Sequence, residues 1–166
     1  MTRPILNLDE VQFETQKDGE AFEAMFGPIA SRLSAKKLGY RITILPPGKK
    51  AWPFHAHYAN EEMFFILEGR GRLRYGDCEF PIRAGDFIAA PAGGIESAHQ
   101  IVNDSEVDLK YLCVSTKEGL DVMEYADSNK FGVLAAAPPD GAKEKRTFAF
   151  FGYKSATVGY WEGEEK

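Results

Sequence analysis

The chain has 166 residues, 44% of them hydrophobic and 13% aromatic, with a formal net charge of −5. That length can bury the core of one domain, and the acidic balance argues against a nucleic-acid or anionic-membrane surface, which needs clustered positive charge. The first residues carry acids and no apolar core, so they do not read as a secretory signal; the longest clean apolar run, Met63 to Leu67, is too short to span a bilayer; and two cysteines, Cys78 and Cys113, without a C-x-x-C spacing imply no disulfide framework and a cytoplasmic location.

Taken in chain order, residues 1–37 form an N-terminal extension expected to pack on the main domain. Phe22, Ala24 and Phe26 alternate there, which favours a strand, and Ser31–Lys37 is expected to form a helical turn. From 38 to 115 the pattern is short β-type runs broken by Gly, Pro, Asn and Asp. Tyr40–Leu45 stops at Pro46-Pro47-Gly48, Trp52–Tyr58 is a second strand, and Glu62–Glu68 ends at Gly69. Arg72–Tyr75 and Cys78–Ile82 flank Gly76-Asp77, a two-residue hairpin signal. Phe87–Ala90, His99–Val102 and Leu109–Ser115 complete the set. Short, evenly spaced strands closed by turn residues predict an all-β fold, a small antiparallel barrel or sandwich. Residues 116–166 form a C-terminal extension with strands expected at Val122–Tyr125 and Phe131–Leu134, a bend at Pro138-Pro139-Asp140-Gly141, and the aromatic stretch Phe148-Ala149-Phe150-Phe151. With Tyr160 and Trp161, that stretch needs cover from the barrel or a second subunit.

The chain has only three histidines, and two form the H-x-H pair His55-Ala56-His57. Side chains at i and i+2 of a strand share a face, so both imidazoles point into one space. Glu62 follows on the next strand, and His99 lies beyond a Gly/Pro-rich turn. Imidazole nitrogen and carboxylate oxygen are the donors that hold divalent transition metals. The same parity turns Phe54, Ala56 and Tyr58 outward, and Trp52 with them. It groups Glu62 with Phe64, Ile66 and Glu68, so a metal would sit among apolar side chains.

These residues resemble the two sequence motifs of the cupin superfamily. The first runs Gly48, His55-Ala56-His57, Glu62 and Gly69; the second runs Gly85, Pro91-Ala92-Gly93, His99 and Asn103. Glu62, and not Glu61, has the family's spacing to Gly69. One residue more than usual separates Gly48 from His55, and residues 94–98 enlarge the gap before His99. The resemblance covers about residues 40–115. It implies a jelly-roll barrel (the double-stranded β-helix) with terminal extensions, commonly dimeric. One divalent transition metal ion (Fe, Mn, Ni or Zn) would be held by His55, His57, Glu62 and His99, with positions left open for water or substrate. The segment Asp121–Ser128 looks like that of bacterial single-domain cupins labelled sugar-phosphate isomerase-like by distant similarity.

The functional expectation is a small-molecule metalloenzyme acting on a polar, oxygen-bearing metabolite by isomerisation, lyase chemistry or O₂-dependent cleavage. The competing reading is a non-catalytic, sugar-like ligand-binding or sensory cupin. Glu96, in the enlarged loop, is a candidate general acid/base. Tyr40 or Arg41 could meet a substrate anion, with packing or a surface role the alternative. Arg70, Arg72 and Arg74 read as a solvated face, and Cys78 and Cys113 as small buried hydrophobes. The expected partners are a small molecule and a second copy of the chain, with no nucleic acid and no membrane.

Overall fold

The computed structural model describes residues 3–136 and 145–164. Two antiparallel sheets face one another. The first has six strands in the order β1 (Glu14–Asp18), β2 (Phe22–Pro28), β3 (Leu38–Leu45), β10 (Leu109–Thr116), β5 (Glu62–Glu68) and β8 (Phe87–Ala90). The second has seven, in the order β13 (Phe148–Tyr153), β12 (Lys130–Ala135), β11 (Leu120–Tyr125), β4 (His55–His57), β9 (His99–Val102), β6 (Arg70–Tyr75) and β7 (Cys78–Arg83). Among the described residues no helix is long and apolar enough to cross a membrane.

Period-two alternation builds the core between the sheets. Leu109, Tyr111 and Cys113 of β10 face inward, and meet Leu45 of β3 and Phe64 and Ile66 of β5 from one side. Leu73, Ile82 and Ile101 close the other side. The chain passes from one sheet to the other at Gly69, between β5 and β6. Its φ of +83° is accessible to glycine, and a Cβ there would lie 2.3 Å from the Asp108 carbonyl oxygen. Asn103, fully buried, fastens the turn between β9 and β10. Its amide donates to the carbonyls of Leu45 and Val107 at 2.7 and 2.8 Å, and its oxygen accepts from Ser105.

The terminal segments continue the sheets. β1 and β2 extend the first sheet beyond β3, and β11 pairs directly with β4, the strand of the H-x-H. Ser31–Lys37 forms turns and no helix, with Ser34 at φ +59°. The second predicted strand is shorter than expected: only His55–His57 is extended, because Pro53 lacks the N–H a ladder needs. Phe54 and Ala56 turn away from the barrel interior as parity requires, and are buried with Ala98 against Ala126 of this same chain. Trp52, outside the strand, escapes the parity rule and lines the interior, stacked on Phe26 at 4.8 Å between ring centroids. Cys113 is buried as expected, but Cys78 is exposed, because β7 is an edge strand and Cys78 adjoins its hairpin turn. Arg72 pairs with Glu79, while Arg74 reaches Asp127 and lies over the Phe54 ring. The Pro138–Gly141 bend lies outside the described residues.

Candidate metal centre

The barrel holds a cavity of about 520 Å³ that opens to solvent, and the three histidines and Glu62 all line it. β4 is hydrogen-bonded to β9 on one side, which sets His55 opposite His99, and to β11 on the other. β5 brings Glu62 across from the facing sheet. Donor atoms of His55, Glu62 and His99 all lie within 4.8 Å of one another. His57 Nε2 stands 3.1 Å from His55 Nε2 and 3.6 Å from Glu62 Oε2, and His99 Nε2 stands 3.0 Å from Glu62 Oε2. Phe64 packs against His99, and Tyr125 against His55.

Each imidazole is oriented by its other nitrogen. His55 Nδ1 faces the Pro53 carbonyl at 2.8 Å, His99 Nδ1 faces the Ser97 carbonyl at 3.2 Å, and His57 Nδ1 faces Asp121 Oδ2 at 2.5 Å. Carbonyl and carboxylate oxygens only accept, so the δ nitrogens donate and all three ε nitrogens point inward. For the neutral rings this sets two lone pairs, on His55 and His57, head-on at 3.1 Å, where neither can donate to the other. A cation between them resolves that contact, so the donor set fits a metal. A metal at His99 Nε2 likewise replaces the proton that ring needs to reach Glu62.

The electrostatics agree with the geometry. Burial, reinforced by the neighbouring His99 and His57, pushes His55 down to about 4, which keeps it neutral. Burial would raise the Glu62 carboxyl, but the His99 hydrogen bond and the surrounding imidazoles outweigh it and hold Glu62 at about 2. Burial works against the charge on His57 too. The Asp121 hydrogen bond and the charges of Glu62 and Asp121 prevail and raise it above the usual imidazole value.

Asp121 was not legible as a site residue. It accepts from His57, from the Ala59 N–H at 3.1 Å and from the Asn60 amide at 2.8 Å. It lies 64 residues from His57 in sequence, so no local spacing announces it. Glu96 is not brought to the cavity. The enlarged loop folds as a 3₁₀ turn, Ile95–Ser97, closed by Ser97 and Ala98 N–H groups on the Gly94 and Ile95 carbonyls. The extra residues are absorbed there without displacing His99, and the exposed Glu96 carboxylate accepts from Gly94 N–H at 2.9 Å. Glu68 ends its strand at the surface, paired with Lys110, and does not line the cavity.

Residues 41–115 match the family model described as the cupin domain. An uncharacterized protein of Methanocaldococcus jannaschii is 33% identical over 107 residues, spanning 64% of this chain and 81% of that one. The chain belongs to the cupin family. Among solved structures, a cupin-superfamily sugar phosphate isomerase from Silicibacter pomeroyi superposes with a TM-score of 0.76 at 20% identity, covering 93% of this chain and 95% of that one. A predicted oxalate decarboxylase from Thermotoga maritima gives 0.60 at 25%, covering 68% and 97%. The oxalate-binding protein of Thermotoga maritima is 34% identical over 70 residues, 42% of this cupin and 54% of that protein. The isomerase likeness shows a shared fold across nearly the whole chain, terminal strands included.

Proposed function

We propose that this cupin is a metal-dependent enzyme acting on a small, oxygen-rich metabolite inside the barrel. The observation that carries the proposal is the convergence of three ε nitrogens and one carboxylate in a largely apolar cavity, with each imidazole locked by its δ nitrogen. His55, His57, Glu62 and His99 would hold the ion, and three nitrogens with one oxygen suit Fe, Mn, Ni or Zn. Such an ion, bound there, supplies Lewis acidity toward a carbonyl or carboxylate oxygen. The chain's own residues do the rest. Asp121 keeps His57 in the ligating tautomer. Phe64, Tyr125 and Met123 line the cavity beside the ligands and lower its local polarity, which strengthens charge interactions there.

Isomerisation and lyase chemistry both fit this arrangement, and O₂-dependent cleavage fits it if the ion is Fe(II). A non-catalytic binding or sensory role is the second reading, favoured by the relative named an oxalate-binding protein. Elemental analysis of the purified protein by plasma mass spectrometry, followed by assays on small hydroxy and oxo acids and on sugar phosphates, separates these readings. Stoichiometric metal with turnover supports the enzyme. Stoichiometric metal with ligand returned unchanged supports the sensor. His57→Ala should lower metal content, and unchanged metal content and turnover in that variant would sink the assignment. A homodimer is proposed through the exposed aromatic side chains of β13 and beyond, among them Phe148, Phe150 and Trp161. Light scattering on the eluting protein tests it.

A further inference from the structure

Arg41 of β3 lines the cavity beside the metal centre and is not one of its ligands. It stands opposite Cys113 in the β3–β10 register and lines the same cavity as the three histidines and Glu62. Cys113 Sγ lies 3.9 Å from Glu62 Oε1, so one side chain separates the guanidinium from the metal ligands. The Arg41 carbon Cζ lies 5.0 Å from the Trp52 ring and 5.3 Å from the Phe26 ring, and those two rings are stacked on each other. Its Nε is buried with no hydrogen-bond partner, and none of the ion pairs among the described residues includes it. Contrast Arg74, which also covers an aromatic ring but is paired with Asp127 through both terminal nitrogens.

A guanidinium keeps its charge at any physiological pH, and burying it without an anion is costly. The aromatic pair offsets part of that cost through cation–π attraction, but rings accept no N–H at Nε. Arg41 also meets the Cys113 thiol, a weak neutral partner, and no carboxylate, and it lines the cavity that also holds the metal ligands. A planar guanidinium edge matches a planar carboxylate through two parallel hydrogen bonds, and Trp52 lines the cavity beside it.

We infer that Arg41 is the anion anchor of this site, so that the substrate is a small carboxylic acid with its carboxylate on Arg41 and a second oxygen directed at the metal centre. This rests on the metal reading for the second contact only. A phosphate ester shares the oxyanion chemistry, and the test distinguishes it.

Trp52 is the reporter. The chain has two tryptophans, and Trp161 is exposed, so Trp161→Phe leaves Trp52 as the sole indole beside Arg41. In that background, tryptophan emission is titrated with oxalate and malonate, and separately with inorganic phosphate and glucose 6-phosphate, in metal-depleted and metal-reloaded protein. The expected result is a saturable change with a carboxylate, weakened about 10- to 100-fold by Arg41→Gln and by less with Arg41→Lys, which keeps the charge but loses the fork. Circular dichroism and metal content of both variants should match the parent. If Arg41→Gln does not fold, the comparison with Arg41→Lys decides. Equal carboxylate affinity in the parent and a folded Arg41 variant overturns the inference, as does binding of the phosphates alone. Failure to take up metal, with the Arg41-dependent response intact in the metal-depleted protein, would refute the metal reading and leave the anchor standing.

Discussion

Asp121→Asn isolates the residue that orients His57. The wild-type carboxylate accepts four hydrogen bonds. Oδ2 receives His57 Nδ1 at 2.5 Å and Asn60 Nδ2 at 2.8 Å, while Oδ1 receives the Ala59 and Asn60 backbone N–H groups at 3.1 and 3.4 Å. All four partners donate. An asparagine carries two donors in place of one oxygen, so whichever way its amide turns, an NH₂ faces donors. If the NH₂ faces His57, the ring can restore the bond only by moving its proton to Nε2, the atom that would ligate. If it faces the loop, two backbone N–H groups lose their acceptor. Loss of such an outer partner typically weakens metal binding about 10- to 100-fold, equivalent to about 1.4–2.8 kcal/mol. The assay is competitive titration of the metal-free protein against a chromophoric chelator, with zinc and manganese, alongside chemical denaturation. Affinity within twofold of the parent for both ions would refute the claim that Asp121 sets the His57 tautomer. A fall in stability with unchanged affinity would make Asp121 a loop anchor only.

Protons and metal compete for the same lone pairs, so affinity should fall with decreasing pH. His57, raised above the usual imidazole value, is protonated before His55, which is held down to about 4. The loss therefore begins near neutrality, and calorimetric affinities that stay flat from about pH 7 to about pH 5 would contradict histidine ligation. In native protein, iodoacetamide should add once, at the exposed Cys78. Cys113 is buried, and burial with Glu62 beside it pushes its thiol up to about 12, so a second adduct should form only after unfolding, as intact-mass spectrometry would show. Asn103→Ala removes a donor from the carbonyl of the buried Leu45 and unties the turn at Val107, so it should cost about 1–3 kcal/mol in urea denaturation of the metal-free protein.

The strands of the central region and the shared face of the H-x-H pair were legible from residue pattern, while the resemblance to the cupin motifs singled out Glu62 and His99 as the further candidate ligands. His55 and His57 share a face because alternation is a property of the backbone, and Glu62, Phe64 and Ile66 follow the same rule on β5. The Gly76-Asp77 hairpin was equally legible, because a two-residue turn selects its residues locally. What failed was everything that depends on where a strand ends or what lies across space. Trp52 was assigned outward by extending β4 past Pro53, and the structure turns it in against Phe26. Cys78 was assigned to the interior by type, and an edge position leaves it exposed. Glu96 was placed near the metal by its closeness to His99 in sequence, and the 3₁₀ turn carries it to the surface.

Short-range order thus marked the strands and the H-x-H pair, since strand periodicity and turn chemistry are written into neighbouring residues, and the family motifs named the remaining candidate donors. Only the tertiary structure decided how those donors are aimed and what surrounds them. Asp121 reaches His57 because β11 pairs with β4, and Arg41 faces the cavity without an anion because β3, β10 and β5 lie side by side. Such contacts join residues far apart in the chain, and pairing between distant strands, unlike alternation within one, leaves no mark on local sequence.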